Sequence, residues 1–167
     1  TASPGAGSPG NATLCSSDAA LALLNLLGGA PDAGGTWTDP NGSAHGAIFD
    51  PSVDQPGVYT YTINVPPPCV STSSSVMISL VQPSNPGLDG ALTLCTTSAS
   101  ADLDSQLGGI PDVGGQWTFS GNPHGNTFDP STDPPGTYVY TVTSTAPCPS
   151  VSANVQVSLN APPDAGL

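Results

Sequence analysis

The sequence contains no lysine, no arginine and no glutamate; all of its twelve acidic residues are aspartates. Two histidines are its only basic side chains, so the formal net charge is -12. The missing cations exclude whole classes of behaviour. Nothing in the chain would neutralise phosphates, which argues against nucleic acid as a partner. The same ground argues against an anionic membrane surface. Lys–Asn and Lys–Asp isopeptide crosslinks cannot form, and no trypsin site exists. The carboxylates must be solvated, bonded to backbone N–H groups, or bound to metal. Long apolar runs are missing too, so no membrane span is expected. The stretch AALALLNLLGG is too short for one and lacks the basic flank of a signal peptide.

In place of these the chain has twenty glycines and twenty prolines among 167 residues. That content opposes long helices and suits short strands joined by turns. Disorder is the weaker reading, because 37% of the residues are hydrophobic and fall in patterned runs.

Those runs occur twice. LGGAPDAGGTW at 27–37 returns as LGGIPDVGGQW at 107–117. A shift of 80 superposes Leu14-Cys15 on Leu94-Cys95 and Trp37-Thr38 on Trp117-Thr118. After one deletion the shift is 79, and Phe49-Asp50-Pro51 meets Phe128-Asp129-Pro130. Such a period marks an array of similar domains. We place repeat 1 at 1–83 and repeat 2 at 84–167, with a proline-stiffened linker at about 82–91, QPSNPGLDGA. Both ends of the chain resemble that linker. The expectation is a segment of a longer array, or termini that meet neighbouring subunits.

Within each copy the pattern is strand. In GVYTYTINV, residues 57–65, Tyr59, Tyr61, Ile63 and Val65 share one face. Tyr138, Tyr140 and Val142 repeat this, and Val76, Ile78 and Leu80 or Val155, Val157 and Leu159 form a closing strand. Further strands are expected near 12–16, 35–39 and 46–50. Leu23 and Leu27, like Leu103 and Leu107, sit four apart before Gly-Gly, which predicts one or two helical turns with a glycine stop. Trp37, Phe49, Tyr59 and Tyr61, with Trp117, Phe128, Tyr138 and Tyr140, are the expected core. The fold class is all-β: two tandem antiparallel β-sandwiches.

Cysteines stand at 15, 69, 95 and 148, without a C-x-x-C pair that would suit zinc or redox chemistry. Pairing within each copy, Cys15 with Cys69 and Cys95 with Cys148, would close loops of similar size. Each would contribute roughly 4 kcal/mol in the chain-entropy model. Two bridges would imply an oxidising, extracellular compartment. Free thiols are the alternative.

DQPGVYTYT and DPPGTYVYT resemble the tyrosine corner of immunoglobulin-like (Ig-like) domains. Asp54 lies one residue further from its tyrosine than usual, and Tyr61 stands where antibody domains place a cysteine. The whole pattern, LC…LGG-x-PD-x-GG-x-W…FDP…PG-x-Y-x-YT…PC…V-x-(I/V)-S-L over residues 11–160, is similar to the tandem Ig-like repeats of large secreted adhesins in gliding Bacteroidetes. These are gliding motility-associated surface proteins exported by the type IX pathway. The resemblance implies a unit of a cell-surface stalk or filament, with adhesive and sorting domains elsewhere.

Catalytic patterns are sparse. His45 and His124 sit one per copy in Gly/Asn-rich loops, and no G-x-S-x-G, H-E-x-x-H or phosphate-binding glycine loop occurs. No enzyme is expected. Asp50 and Asp54, like Asp129 and Asp133, are spaced four apart in proline-containing loops, and Asp39 could join the first pair around calcium. The simpler account is that they cap turns. NAT at 11–13 and NGS at 41–43 match the glycosylation sequon, a short and common motif. The sequence reading is an extracellular structural or adhesive protein without a required cofactor. Its expected partners are neighbouring repeats or identical subunits in a fibre, and surface glycans. A carbohydrate-binding module is the alternative; Phe119, without a counterpart in the first copy, would then be its exposed aromatic.

Overall fold

The structure, a computed structural model, describes residues 4–161. The tail at 162–167 lies outside the described residues. Two compact units make up the chain. The first runs to Gln82 and also takes in Ala146–Cys148; the second holds Pro83–Thr145 and resumes at Pro149.

In the first unit the strands are β1 (Gly10–Cys15), β2 (Leu21–Ala22), β3 (Thr36–Thr38), β4 (Ala44–His45), β5 (Ile48–Phe49), β6 (Gly57–Ile63) and β7 (Thr72–Val81). They form a five-stranded sheet in the order β1-β7-β6-β3-β4 and a small sheet pairing β2 with β5. The second unit repeats the plan with β8 (Gly90–Cys95), β9 (Ala101–Asp102), β10 (Gln116–Phe119), β11 (Asn122–His124), β12 (Thr127–Phe128), β13 (Gly136–Val142) and β14 (Val151–Asn160). Its sheets run β11-β10-β13-β14-β8 and β12-β9.

Alternation along the strands decides which face is buried. On β6, Tyr59, Tyr61 and Ile63 are buried while Val58 is exposed; on β7, Val76 and Ile78 are buried while Met77 is exposed. Leu23 and Phe49 close the same core from the small-sheet side. Leu103 and Phe128 do so in the second unit. An edge-on aromatic contact recurs in the two units: Phe49 meets Tyr59 at 5.3 Å, and Phe128 meets Tyr138 at 5.4 Å.

Three expectations need correction. The helical turns are single turns of 3-10 helix, Leu23–Leu26 and Asp104–Gln106. They end at Leu27 and Leu107, whose backbone is already extended, so the glycines that follow shape the next turn instead of capping a helix. Gly29 and Gly109 take positive φ there. Second, the sheets are not purely antiparallel: β1 pairs with β7, and β8 with β14, in parallel. Apolar alternation looks the same in either direction, so the sequence carried no sign of it.

The third correction follows from the second. Parallel pairing sets Cys15 opposite Val81, at the far end of β7. Cys69 precedes the near end of that ten-residue strand. The strand spans about 30 Å, whereas disulfide Cα atoms lie within roughly 7 Å. A Cys15–Cys69 bridge is therefore impossible in this fold. Cys95 and Cys148 are separated by β14 in the same way. The bond that forms joins Cys15 to Cys148, with Cα atoms 4.9 Å apart and the two residues 133 positions apart in sequence. Cys69 and Cys95 are free and exposed.

The proline-rich stretch at 82–91 is not slack chain. Asn85 and Asp112 exchange hydrogen bonds, Asn85 N–H to the Asp112 carboxylate and Asp112 N–H to the Asn85 carbonyl, both at 2.8 Å. Gly5 and Asp32 make the same exchange in the first unit.

Candidate functional site

A chain without Lys or Arg must place its carboxylates elsewhere, and here the backbone takes them. Every described aspartate accepts at least one N–H. Asp18 accepts from Cys15, Asp32 from Gly5, Asp39 from Asn41 and Ser43, and Asp89 from Asn154. Asp102 accepts from the N–H of Asp104. Asp104 is the variation: it accepts from the Trp117 indole at 2.7 Å and from the Asn126 amide at 2.9 Å. Charge-assisted bonds of this kind are short and roughly twice as strong as neutral ones.

The aspartates considered for calcium belong to this network. Asp54 accepts the Asp50 N–H at 2.8 Å, and Asp50 accepts both the N–H and the hydroxyl of Ser52. Asp133 and Asp129 reproduce the pattern with Ser131. The Ser52 hydroxyl and then its N–H hold the Asp50 carboxyl below its ordinary value, as Ser131 does for Asp129. Among the described residues, no three His, Cys or Asp side chains gather as a metal would need.

Each histidine sits on a corner tyrosine. His45 meets Tyr59 edge-on at 4.9 Å, with one ring nitrogen on the Gly46 carbonyl and the other 3.3 Å from Asp54. His124 does the same with Tyr138, Gly125 and Asp133. Both rings are thus consumed in packing the loop. Tyr59 and Tyr138 donate to the carbonyls of Gln55 and Pro134, four residues upstream, at 2.8 Å. This is the tyrosine-corner geometry. Burial, with Asp54 and then Asp39 adding, pushes the Tyr59 hydroxyl up to about 12. Burial and Asp133 push Tyr138 to about 12 as well.

One concavity of about 500 Å³ opens in the second unit, with Asp104, Trp117, His124, Asn126 and Tyr140 on its wall. Asp104 and Asn126 are the residues sequence reasoning missed. Overlaying the copies shows them: they replace Leu24 and Ala47 of the first copy, so one pair of facing positions turns polar together. On this wall Asp104 already holds the Trp117 indole and the Asn126 amide, and the Tyr140 hydroxyl lies between Gly115 N–H and the Asp112 carbonyl. Trp117 is only 4% exposed, so its ring offers no open platform. Phe119 stacks on Tyr138 at 4.7 Å and packs against the core. It is half-buried rather than a projecting aromatic.

No family model and no curated protein matches the chain. Solved structures do. The insect immune protein hemolin is 12% identical, with a TM-score of 0.54, over 94% of this chain and 46% of hemolin. A fragment of titin, I67–I69, gives 15% and 0.49 over 90% of this chain and 62% of that one; Sidekick-1 immunoglobulin domains 1–5 give 14% and 0.39 over 93% and 40%. The chain thus spans about 40–62% of the length of these structures. At such identity the likeness is one of fold: two tandem Ig-like β-sandwiches.

Proposed function

We propose that this chain is an extracellular structural or adhesive protein, a load-bearing spacer of a surface stalk or filament. The supporting observation is where the first and last strands of each unit lie. β1 pairs with β7 in parallel through six successive residues, Gly10–Cys15, and β8 pairs with β14 likewise. Tension along the chain pulls such a pair in opposite directions along the strand axis. Its hydrogen bonds are then sheared together, not opened one at a time. The chain's resemblance to stalk repeats of gliding Bacteroidetes adhesins agrees with this role. So does the disulfide, a bond that persists in oxidising compartments. Hemolin's domain arrangement has implications for homophilic adhesion, a behaviour that fits pairing between copies through exposed sheet edges.

The test is a force ramp on the reduced chain held by its two ends. Two unfolding events at high, similar force are expected. Extension of either unit at the low force of a peeling hairpin would overturn the reading.

The concavity beside Asp104 favours a second reading, a carbohydrate-binding module using the second unit. Glycan-array binding lost in Asp104→Leu, with folding retained, would support it over the spacer.

A further inference from the structure

The two copies carry equivalent cysteines in equivalent settings, yet only one of each kind is bonded. Cys15 ends β1 opposite Val81, and Cys95 ends β8 opposite Asn160. The following turns match: Asp18 N–H reaches the Cys15 carbonyl at 3.0 Å, and Ser98 N–H the Cys95 carbonyl at 2.9 Å. Cys69 and Cys148 occupy the same turn before β7 and β14. The observed bond therefore obeys a rule: the cysteine ending the first strand of one copy joins the cysteine before the last strand of the next copy. Applied to two copies, the rule leaves one cysteine of each kind unused. Those are Cys95 and Cys69, and both are exposed, whereas Cys15 and Cys148 are 0% and 6% exposed.

We propose that Cys69 and Cys95 are the covalent connectors of this module: Cys95 bonds the Cys69-type cysteine of a following copy, and Cys69 the Cys95-type cysteine of a preceding one. The inference rests on the spacer reading and names its partner, a further copy of this same module. The sister bond is the independent observation; the same position of the same motif is already seen in disulfide linkage. The linkage is directional, first strand to last loop, so it joins copies head to tail and not as a two-fold pair. Chemically, one cysteine thiolate attacks a small disulfide oxidant such as oxidised glutathione and expels one glutathione thiolate. The partner cysteine then attacks the mixed disulfide and expels the second. Two cysteine thiols become one disulfide, and one oxidised glutathione becomes two reduced ones.

The experiment uses the full chain, concentrated in a glutathione redox buffer, followed by non-reducing gels and peptide mapping. A ladder of covalent species linked through Cys69–Cys95 peptides is expected, with Cys15–Cys148 retained. Cys69→Ser alone and Cys95→Ser alone should each lose the ladder and stay monomeric, while a mixture of the two yields a covalent dimer and nothing larger. Both positions are exposed, and unchanged thermal melts of the variants would confirm folding. Three results would overturn the proposal: no ladder, like-to-like dimers in the single variants, or a Cys69–Cys95 bond within one chain. These readouts concern linkage alone; the force ramp judges load bearing, so either idea can fail without the other.

Discussion

The hydroxyl of Tyr61 accepts the N–H of Gly35 at 2.8 Å and donates to the carbonyl of Asp32 at 2.7 Å. Tyr140 does the same between Gly115 and Asp112. One phenol thus closes the PD-x-GG loop onto the central strand of its sheet. The loop can approach only because residue 35 has no side chain: a Cβ there would stand 2.6 Å from the Tyr61 ring and 2.7 Å from the Thr62 carbonyl.

Gly35→Ala and Gly115→Ala are therefore expected to destabilise their units by about 1–3 kcal/mol, the usual range for overpacking a filled site. Tyr61→Phe keeps the ring but abandons both bonds, and should cost about 1–2 kcal/mol. Thermal melts of the single variants check this. An unchanged melt for Gly35→Ala would mean the loop is not seated on the tyrosine.

How the sequence related to the fold can be read from particular residues. Tyr59, Tyr61, Val76 and Ile78 were legible because a half-buried strand alternates with period two, and these face the core. The repeat itself made every such reading twice. Strand direction was not legible, and the disulfide pairing failed with it, since equal loop lengths say nothing about which end of β7 a cysteine reaches. At the site, Asp50 bonds Ser52 two residues on and His45 bonds the Gly46 carbonyl, local contacts of a kind that short polar sequences in turns signal. The Asp104–Trp117 bond was hidden: it depends on two segments meeting across the core, thirteen residues apart in sequence.

Ser74 offers a stability test internal to the chain. Its hydroxyl is buried with no hydrogen-bond partner among the described residues, and it lies opposite Tyr61. The second copy places Ala153 there, 2% exposed. Ser74→Ala removes an unsatisfied polar group without opening a cavity, so it should stabilise the first unit by about 1 kcal/mol. For a unit of this size that is a rise in melting temperature of roughly 4–8 °C. The reverse change, Ala153→Ser, should lower the second unit by a similar amount. A fall in stability for Ser74→Ala would show that the hydroxyl is bonded after all.

The Cys15–Cys148 bond should govern how far the chain extends. With it intact, tension applied at the two ends passes across the sulfur bridge, and the 133-residue separation it encloses stays locked. Reduction should add about 450 Å of contour length, at roughly 3.3–3.6 Å per residue. Cys148→Ser should show that gain without reductant. Equal contour lengths in oxidised and reduced chains would mean the bridge does not form in solution.

The corner tyrosines set the alkaline limit. Tyr59 and Tyr138 titrate near 12 in the folded chain, against 10.0 as the ordinary value. In the window between these values the unfolded chain has lost protons that the folded chain keeps. Unfolding is then favoured as pH rises. The stabilisation is whole below pH 10 and is lost through about pH 12, up to about 2–3 kcal/mol per tyrosine. Tyr59→Phe should be less stable than the parent at pH 7, having lost the bond to Gln55, yet its first unit should decline less between pH 10 and 12. The acid side runs in the opposite sense. Asp50 and Asp129 sit below the ordinary carboxylate value of 3.8, so their contribution is present above that value and fades as pH falls through the folded values. Ser52→Ala removes the larger cause at Asp50 and should flatten the acid limb of the first unit. Denaturant melts across both limbs provide the measurement; parallel alkaline curves for Tyr59→Phe and the parent would mean that the buried hydroxyl is not what the alkaline transition reports.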